Sequence, residues 1–199
     1  QNFHKWIGDQ EPAELRKRAR MAQDIFQSVG ITFNVYDDSE GVERVIPFDI
    51  IPRIFTSSEW RFLEEGIAQR VKAMNAFLYD IYHQQEIIKA GILPAQLVYK
   101  NKAFLPHMMD FDPPGKIYIH VVGVDVVRTD KDQFFVLEDN ARVPSGVSYM
   151  LENRETMLHM FPELFKRNRI RSVEYYPQQL YQTLCESLDD VSDRKPTIS

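Results

Sequence analysis

The sequence predicts an α+β protein, with a helical N-terminal region, an antiparallel β unit around one acidic hairpin, and C-terminal helices. Three observations predict it. Apolar residues recur at helical spacing over residues 12–29 and 57–90, two β-rich runs flank the polar turn 129–132, and helical periodicity returns after Tyr149. The 199 residues are 44% hydrophobic and 27% charged, a composition that excludes a disordered tail or a collagen-like fibre. A net charge of -5 gives no chain-wide basic field, so no nucleic-acid partner is expected. The single cysteine, Cys185, excludes an internal disulfide and a multi-thiolate zinc site and fits a reducing compartment. With no apolar run of roughly 20 residues, the expectation is a cytoplasmic protein without a membrane span.

In PAELRKRARMAQDIFQSV, Leu15, Ala19, Ala22, Phe26 and Val29 fall on one helical stripe, and Gly30 is placed to end it. Residues 31–51 read as two short strands joined by the turn DSEG. Ser57 or Ser58 is the expected N-cap of a long helix carrying Trp60, Leu63, Ile67, Val71, Met74, Leu78 and Ile81. That helix runs to about Ala90, is stopped by Gly91, and is expected to be the main core element of the first half. IYIHVVGVDVVR and QFFVLEDN then read as strands, residues 149–167 as a helix broken near Pro162, and YPQQLYQTLCESLDD as a last helix. The expected segments are a mainly helical region 1–95, the β unit 96–150, helices 151–188 and a linker 189–199 leading to a further C-terminal part.

The hairpin carries the chemistry. With Thr129 opposite Phe134, antiparallel pairing places Asp125 opposite Glu138 and Gly123 opposite Asn140, with Asn140 on the face of the acids. A slip of one residue pairs Asp125 with Leu137 or Asp139 instead. Opposed carboxylates repel, and two carboxylates with an amide oxygen are hard ligands suited to Mg²⁺. Because both strands are apolar on both faces, ionised groups there are expected to need a partner. A solvated strand edge is the competing reading. Gly123 is expected to leave open space beside the ligands. Pro144, Ser145 and Gly146 form a turn suited to an anion, with Arg142 nearby; an N-capping serine is the plainer reading of that turn.

Residues 124–146, VDVVRTDKDQFFVLEDNARVPSG, resemble the closing hairpin of ATP-grasp ligases, in which an acid is followed thirteen positions later by the Glu of a Glu-x-Asn pair. FDIIPRIF (48–55), EWRFLEEGIAQR (59–70), NAFLYDIY (75–82), YIHVVGVDVVR (118–128), LEDNARVPSGVSYMLENR (137–154) and FPELF (161–165) resemble the circularly permuted ATP-grasp family, related to glutathionylspermidine synthase. The resemblance implies an ATP- and Mg²⁺-dependent ligase that joins a small-molecule or peptide carboxylate to an amine through an acyl phosphate. By position it implies Asp125, Glu138 and Asn140 as metal ligands and Pro144, Ser145 and Gly146 beside the substrate. Many relatives carry an Arg two residues before the first acid. Gly123 stands there instead, leaving Arg128 or Arg142 to stabilise the transferring phosphoryl group. The resemblance places the lysines for adenine and phosphates beyond Ser199, so residues 1–199 alone are expected to be inactive and to rely on the remainder of the polypeptide. The alternative is a non-catalytic nucleotide- or peptide-binding module of the same ancestry.

Other groups read more plainly. RKRAR (16–20) is expected to be a solvated helix face, Glu59-Trp60 a helix cap with an anchoring indole, and Cys185 a buried thiol. Asp110 and Asp112 lie in a connecting loop with lid-like composition, and His120 lies five residues before Asp125.

Overall fold

Pro12 opens and Gly30 closes the helix predicted over 12–29. The glycine sits at φ 75°, ψ 33°, a left-handed cap that needs no Cβ. The computed structural model describes residues 3–34, 43–130, 133–142 and 144–188. In chain order the elements are α1 (Phe3–Gly8), α2 (Pro12–Val29), β1 (Thr32–Asn34), β2 (Glu43–Val45), α3 (Ser57–Tyr82), α4 (Glu86–Lys89), α5 (Ala95–Tyr99), β3 (Gly123–Asp130), β4 (Gln133–Asn140), α6 (Val147–Met160), α7 (Pro162–Arg167) and α8 (Tyr176–Glu186). Helices with two antiparallel strand pairs, β1 with β2 and β3 with β4, make the expected α+β class. The DSEG turn and the 189–199 linker lie outside the described residues.

Contacts gather into two units, one of residues 1–54 and 145–175, the other of residues 55–144 with the described residues from Tyr176 onward. This division differs from the segments read off the sequence, because the long helix α3 joins the β3–β4 hairpin rather than the N-terminal helices.

The first unit holds a core of buried Trp6, Ala22, Met160, Phe161 and Leu164, with Leu15, Ile25, Phe48 and Met157 packed against them. Trp6 meets Phe161 edge-on at 5.0 Å, and Phe26 meets Phe48 at 5.0 Å. Of the α2 stripe, Ala22 and Phe26 are buried, whereas Val29 is 61% exposed. Pro162 breaks the helical run as expected, and Arg18 satisfies the carbonyl freed there by donating to Met160 O at 2.7 Å. Arg18 also bonds Glu163 at 3.0 Å and lies 4.8 Å from the centroid of the Phe161 ring. The basic run is therefore not wholly a solvated face: its central arginine ties α2 to α6 and α7.

In the second unit α3 is capped by Thr56, not by Ser57 or Ser58. The Thr56 hydroxyl accepts from Glu59 N at 3.3 Å, and Glu59 Oε2 accepts from Thr56 N at 2.7 Å. The helix stops at Tyr82, earlier than the periodicity suggests, because the Asp80 carboxylate accepts from Glu86 N (2.8 Å) and Ile87 N (3.0 Å) and so starts α4; Gly91, at φ 70°, follows α4. Only Ile81 and Tyr82 of α3 are buried, so it is not the main core element expected. Its role is that of a spine. Asn75 Oδ1 accepts from Tyr118 N (2.7 Å) and Ile119 N (3.0 Å), supplying partners that a neighbouring strand would otherwise give, and the strand therefore starts only at Gly123. The loop carrying Asp110 and Asp112 is likewise tied down: Asp110 N donates to Tyr82 O at 2.8 Å and Asp112 lies 3.1 Å from His83 Nε2.

Phe161 is fully buried at the centre of the first unit. Phe161→Ala is expected to cost that unit about 3–5 kcal/mol, measured by denaturant unfolding, with Arg18→Ala costing less because the part-exposed Glu163 can turn to water.

Candidate functional site

The β3–β4 ladder places Asp125 opposite Glu138 and Gly123 opposite Asn140, as the sequence predicts. The route to that pairing is different. Near the turn the pairs are Arg128 with Phe134, Val127 with Phe135 and Val126 with Val136, so Thr129 is not opposite Phe134. Two irregularities restore the register, one at Thr129 on β3 and one at Leu137 on β4, and their effects cancel before the acids.

Alternation then sorts the side chains into two faces. Asp125, Glu138 and Asn140 are exposed, and Asn140 Nδ2 donates to Glu138 Oε1 at 3.1 Å. On the opposite face, Arg128 pairs with Glu59 at 2.5 Å and lies 5.2 Å from the centroid of the Phe134 ring, which neighbours Phe55 and Phe62. Asp139 receives Arg70 through Nε at 2.8 Å to each oxygen and Nη2 at 2.6 Å. The hairpin is thus docked on α3 by two ion pairs. Glu59 and Arg70 are eleven residues apart, about 16 Å along a helix, against about 13 Å for the four strand steps from Val124, the partner of Asp139, to Arg128.

Several expectations change. Arg128, one of the two arginines expected to meet the phosphoryl group, is bonded to Glu59 on the face away from the acids, where it anchors the hairpin. The acids do not sit in an apolar enclosure, since Phe135 is 54% and Leu137 67% exposed beside them, and burial imposes no need for a cation. Gly123 does not leave open space: a Cβ there would stand 3.2 Å from Pro144 Cβ and 3.7 Å from Asn140 Cβ, so glycine is what lets Pro144 approach. Ser145 and Gly146 belong to the first unit, where Gly146 at φ 89° is the N-cap of α6, in place of the serine cap. Arg142 is exposed, two residues past Asn140. Cys185 is half-buried rather than enclosed, and its contact with Tyr181 raises that phenol. Among the described residues no group of three His, Cys, Asp or Glu side chains is placed to hold a metal.

The sequence reading missed Arg70, Asp139 and Glu59 as a framework. A signal was present: Glu59 and Arg70 fall at three- and four-residue steps within the apolar stripe of Leu63, Ile67 and Met74, where a charge calls for a partner.

The mixed helical and antiparallel-strand fold agrees with that of an ATP-grasp protein. A match to the family described as a circularly permuted ATPgrasp covers residues 52–199, and the chain belongs to that family. It is 48% identical over 179 residues to an uncharacterized protein of Synechocystis sp., covering 90% of this chain and 37% of that protein. An uncharacterized protein of Mycobacterium leprae is 41% identical over 192 residues, 96% of this chain and 33% of its own. A protein of Frankia casuarinae named "Putative glutamate--cysteine ligase 2-2" is 35% identical over 170 residues, 85% of this chain and 19% of its own. The chain therefore spans little more than a third, or less, of each of these relatives.

Hydrogen bonds from the Thr56 backbone N–H, then the Thr56 hydroxyl and Arg128, lower the Glu59 carboxyl from 4.5 to about 2. A carboxyl depressed on folding stabilises above its unfolded value and loses that contribution as pH falls through the folded one. The stability difference between the wild type and Glu59→Gln is accordingly expected to be full above pH 4.5 and to shrink steadily towards about pH 2, read from urea midpoints across that range.

Proposed function

We propose that the protein containing this chain is an ATP- and Mg²⁺-dependent ligase that couples a carboxylate to an amine through an acyl phosphate. The observation that carries the proposal is the pairing of Asp125 with Glu138 on an exposed strand face with Asn140 bonded to Glu138. Family membership and the glutamate–cysteine ligase name of the Frankia relative support the class of reaction. That name and the sequence resemblance to glutathionylspermidine synthase differ in substrates. They agree on an amino-acid or small-peptide carboxylate meeting an amine, which is the substrate class proposed here.

The donor set fits Mg²⁺: two carboxylates and an amide oxygen are hard ligands, and a site of one or two carboxylates leaves positions for phosphate oxygens. Asp125 and Glu138 would hold the metal. Because the Asn140 NH₂ group is turned to Glu138, its carbonyl oxygen is left as the third ligand. When bound, Mg²⁺ neutralises charge on the phosphates. Arg142, exposed just beyond Asn140, is the proposed cation for the transferring phosphoryl group, now that Arg128 is engaged elsewhere. Pro144 stays as a proposed substrate contact, packed beside Gly123. Ser145 and Gly146 stay as proposed substrate contacts, and the reducing setting suited to a lone cysteine supports cytoplasmic work.

In the full-length protein, Glu138→Gln is expected to lower Mg²⁺-dependent ADP formation about 100-fold or more, the scale of losing charge stabilisation at a reacting group, with the melting temperature held or slightly raised as the repulsion from Asp125 is relieved. Asn140→Ala removes a neutral ligand and costs less. Full activity in the Glu138 variant sinks the assignment; ATP-dependent stabilisation without ADP release on adding amino acids and amines assigns the binding-module reading instead.

A further inference from the structure

Once the ladder has slipped at Thr129, Glu138 reaches the face of Asp125 only because a second irregularity, at Leu137, reverses the slip. From Arg128 to Val126 the strands pair in one register, and the pairs from Asp125 to Gly123 are shifted from it by one residue. Had β4 continued in the first register, Asp125 would face Leu137, Glu138 would face Val124 on the α3 side, and Asp139 would turn to the open face. The continuous ladder would spare an unpaired residue, and Leu137, 67% exposed, gains little from its present place. The pairs at the acids resume the register of Asp130 with Gln133 beside the turn, and a contact outside the ladder that favours this return offsets the cost of the second irregularity.

Asp139 identifies it. Only in the shifted register does its carboxylate face α3, where Arg70 binds both oxygens at 2.8 Å through Nε and one at 2.6 Å through Nη2. The segment before the irregularity is held separately, by Arg128 on Glu59 and by Phe134 against Phe55 and Phe62. The irregularity lies between two anchors on one rigid helix, and the anchor on the acid side is the Arg70–Asp139 pair. Glu138 and Asn140 flank Asp139 directly and must point the opposite way.

We propose that Arg70 is a positioning residue for the acid pair: its two-pronged hold on Asp139 selects the shifted register of β4 and so keeps Glu138 and Asn140 beside Asp125. The proposal rests on the metal-site reading above for its consequence, but its structural half stands alone.

The test uses the full-length protein with Mn²⁺ as the probe, followed by electron paramagnetic resonance, together with cross-strand NOEs between residues 125 and 138 in the metal-free state. Arg70→Met should weaken Mn²⁺ binding about tenfold or more, the scale of losing a partner that orients ligands, and should weaken or move the 125–138 NOEs. Arg70→Lys, which keeps the charge and loses the fork, should fall between. The swapped pair Arg70→Asp with Asp139→Arg should recover both readouts, which a general loss of stability would not explain. Unchanged Mn²⁺ affinity and unchanged NOEs in Arg70→Met overturn the proposal, and should that variant fail to fold, a normal result for Arg70→Lys with no recovery in the swapped pair does the same. Unchanged Mn²⁺ affinity in Glu138→Gln overturns the metal reading instead, leaving the NOE result to decide the role of Arg70.

Discussion

Three polar residues of α3 govern the second unit. Glu59, Arg70 and Asn75 each take one part of the β segment: Arg128, Asp139, and the backbone of 118–119. A two-stranded hairpin is marginal alone in water, and this one has apolar side chains that remain exposed on β4. It keeps its shape because a helix of 26 residues offers partners at set intervals along one side. Each pairing matches a charge or a backbone dipole with its complement, so the docking is selective in a way that an apolar contact is not.

That selectivity decides which residues are available for chemistry. Arg128, Phe134 and Asp139 of the hairpin turn to α3, and the acids turn to the other face. Arg128 and Asp139 belong to the committed set; Asp125, Glu138 and Asn140 belong to the free one. Gly123 extends the pattern by admitting Pro144 where any side chain would crowd it.

Much of this was legible in the sequence. The helix over 12–29, the break at Pro162 and the opposition of Asp125 to Glu138 follow from periodicity, a missing amide hydrogen and strand alternation. The turn did not: a single register was carried along the hairpin, and two offsetting irregularities cannot be read from residue types that are apolar throughout. The end of the long helix was misplaced because apolar spacing continues through Ile87 and Ile88, while the Asp80 carboxylate that starts the next turn is one polar residue among many. The site face was read as apolar from composition, but Phe135 and Leu137 are exposed. Hydrophobicity says which residues prefer burial, not whether the chain supplies something to cover them.

The two ion pairs have one more property. Each joins residues 69 apart in the chain. Once either forms, the other closes a ring of only the eleven residues from Glu59 to Arg70 and the eleven from Arg128 to Asp139. By the logarithmic dependence of closure entropy on loop length, the second contact is easier than the first by about 1 kcal/mol. The hairpin and helix therefore tend to zip as a unit, with few half-docked intermediates, and the long excursion through α4, α5 and the intervening loops is closed once for both.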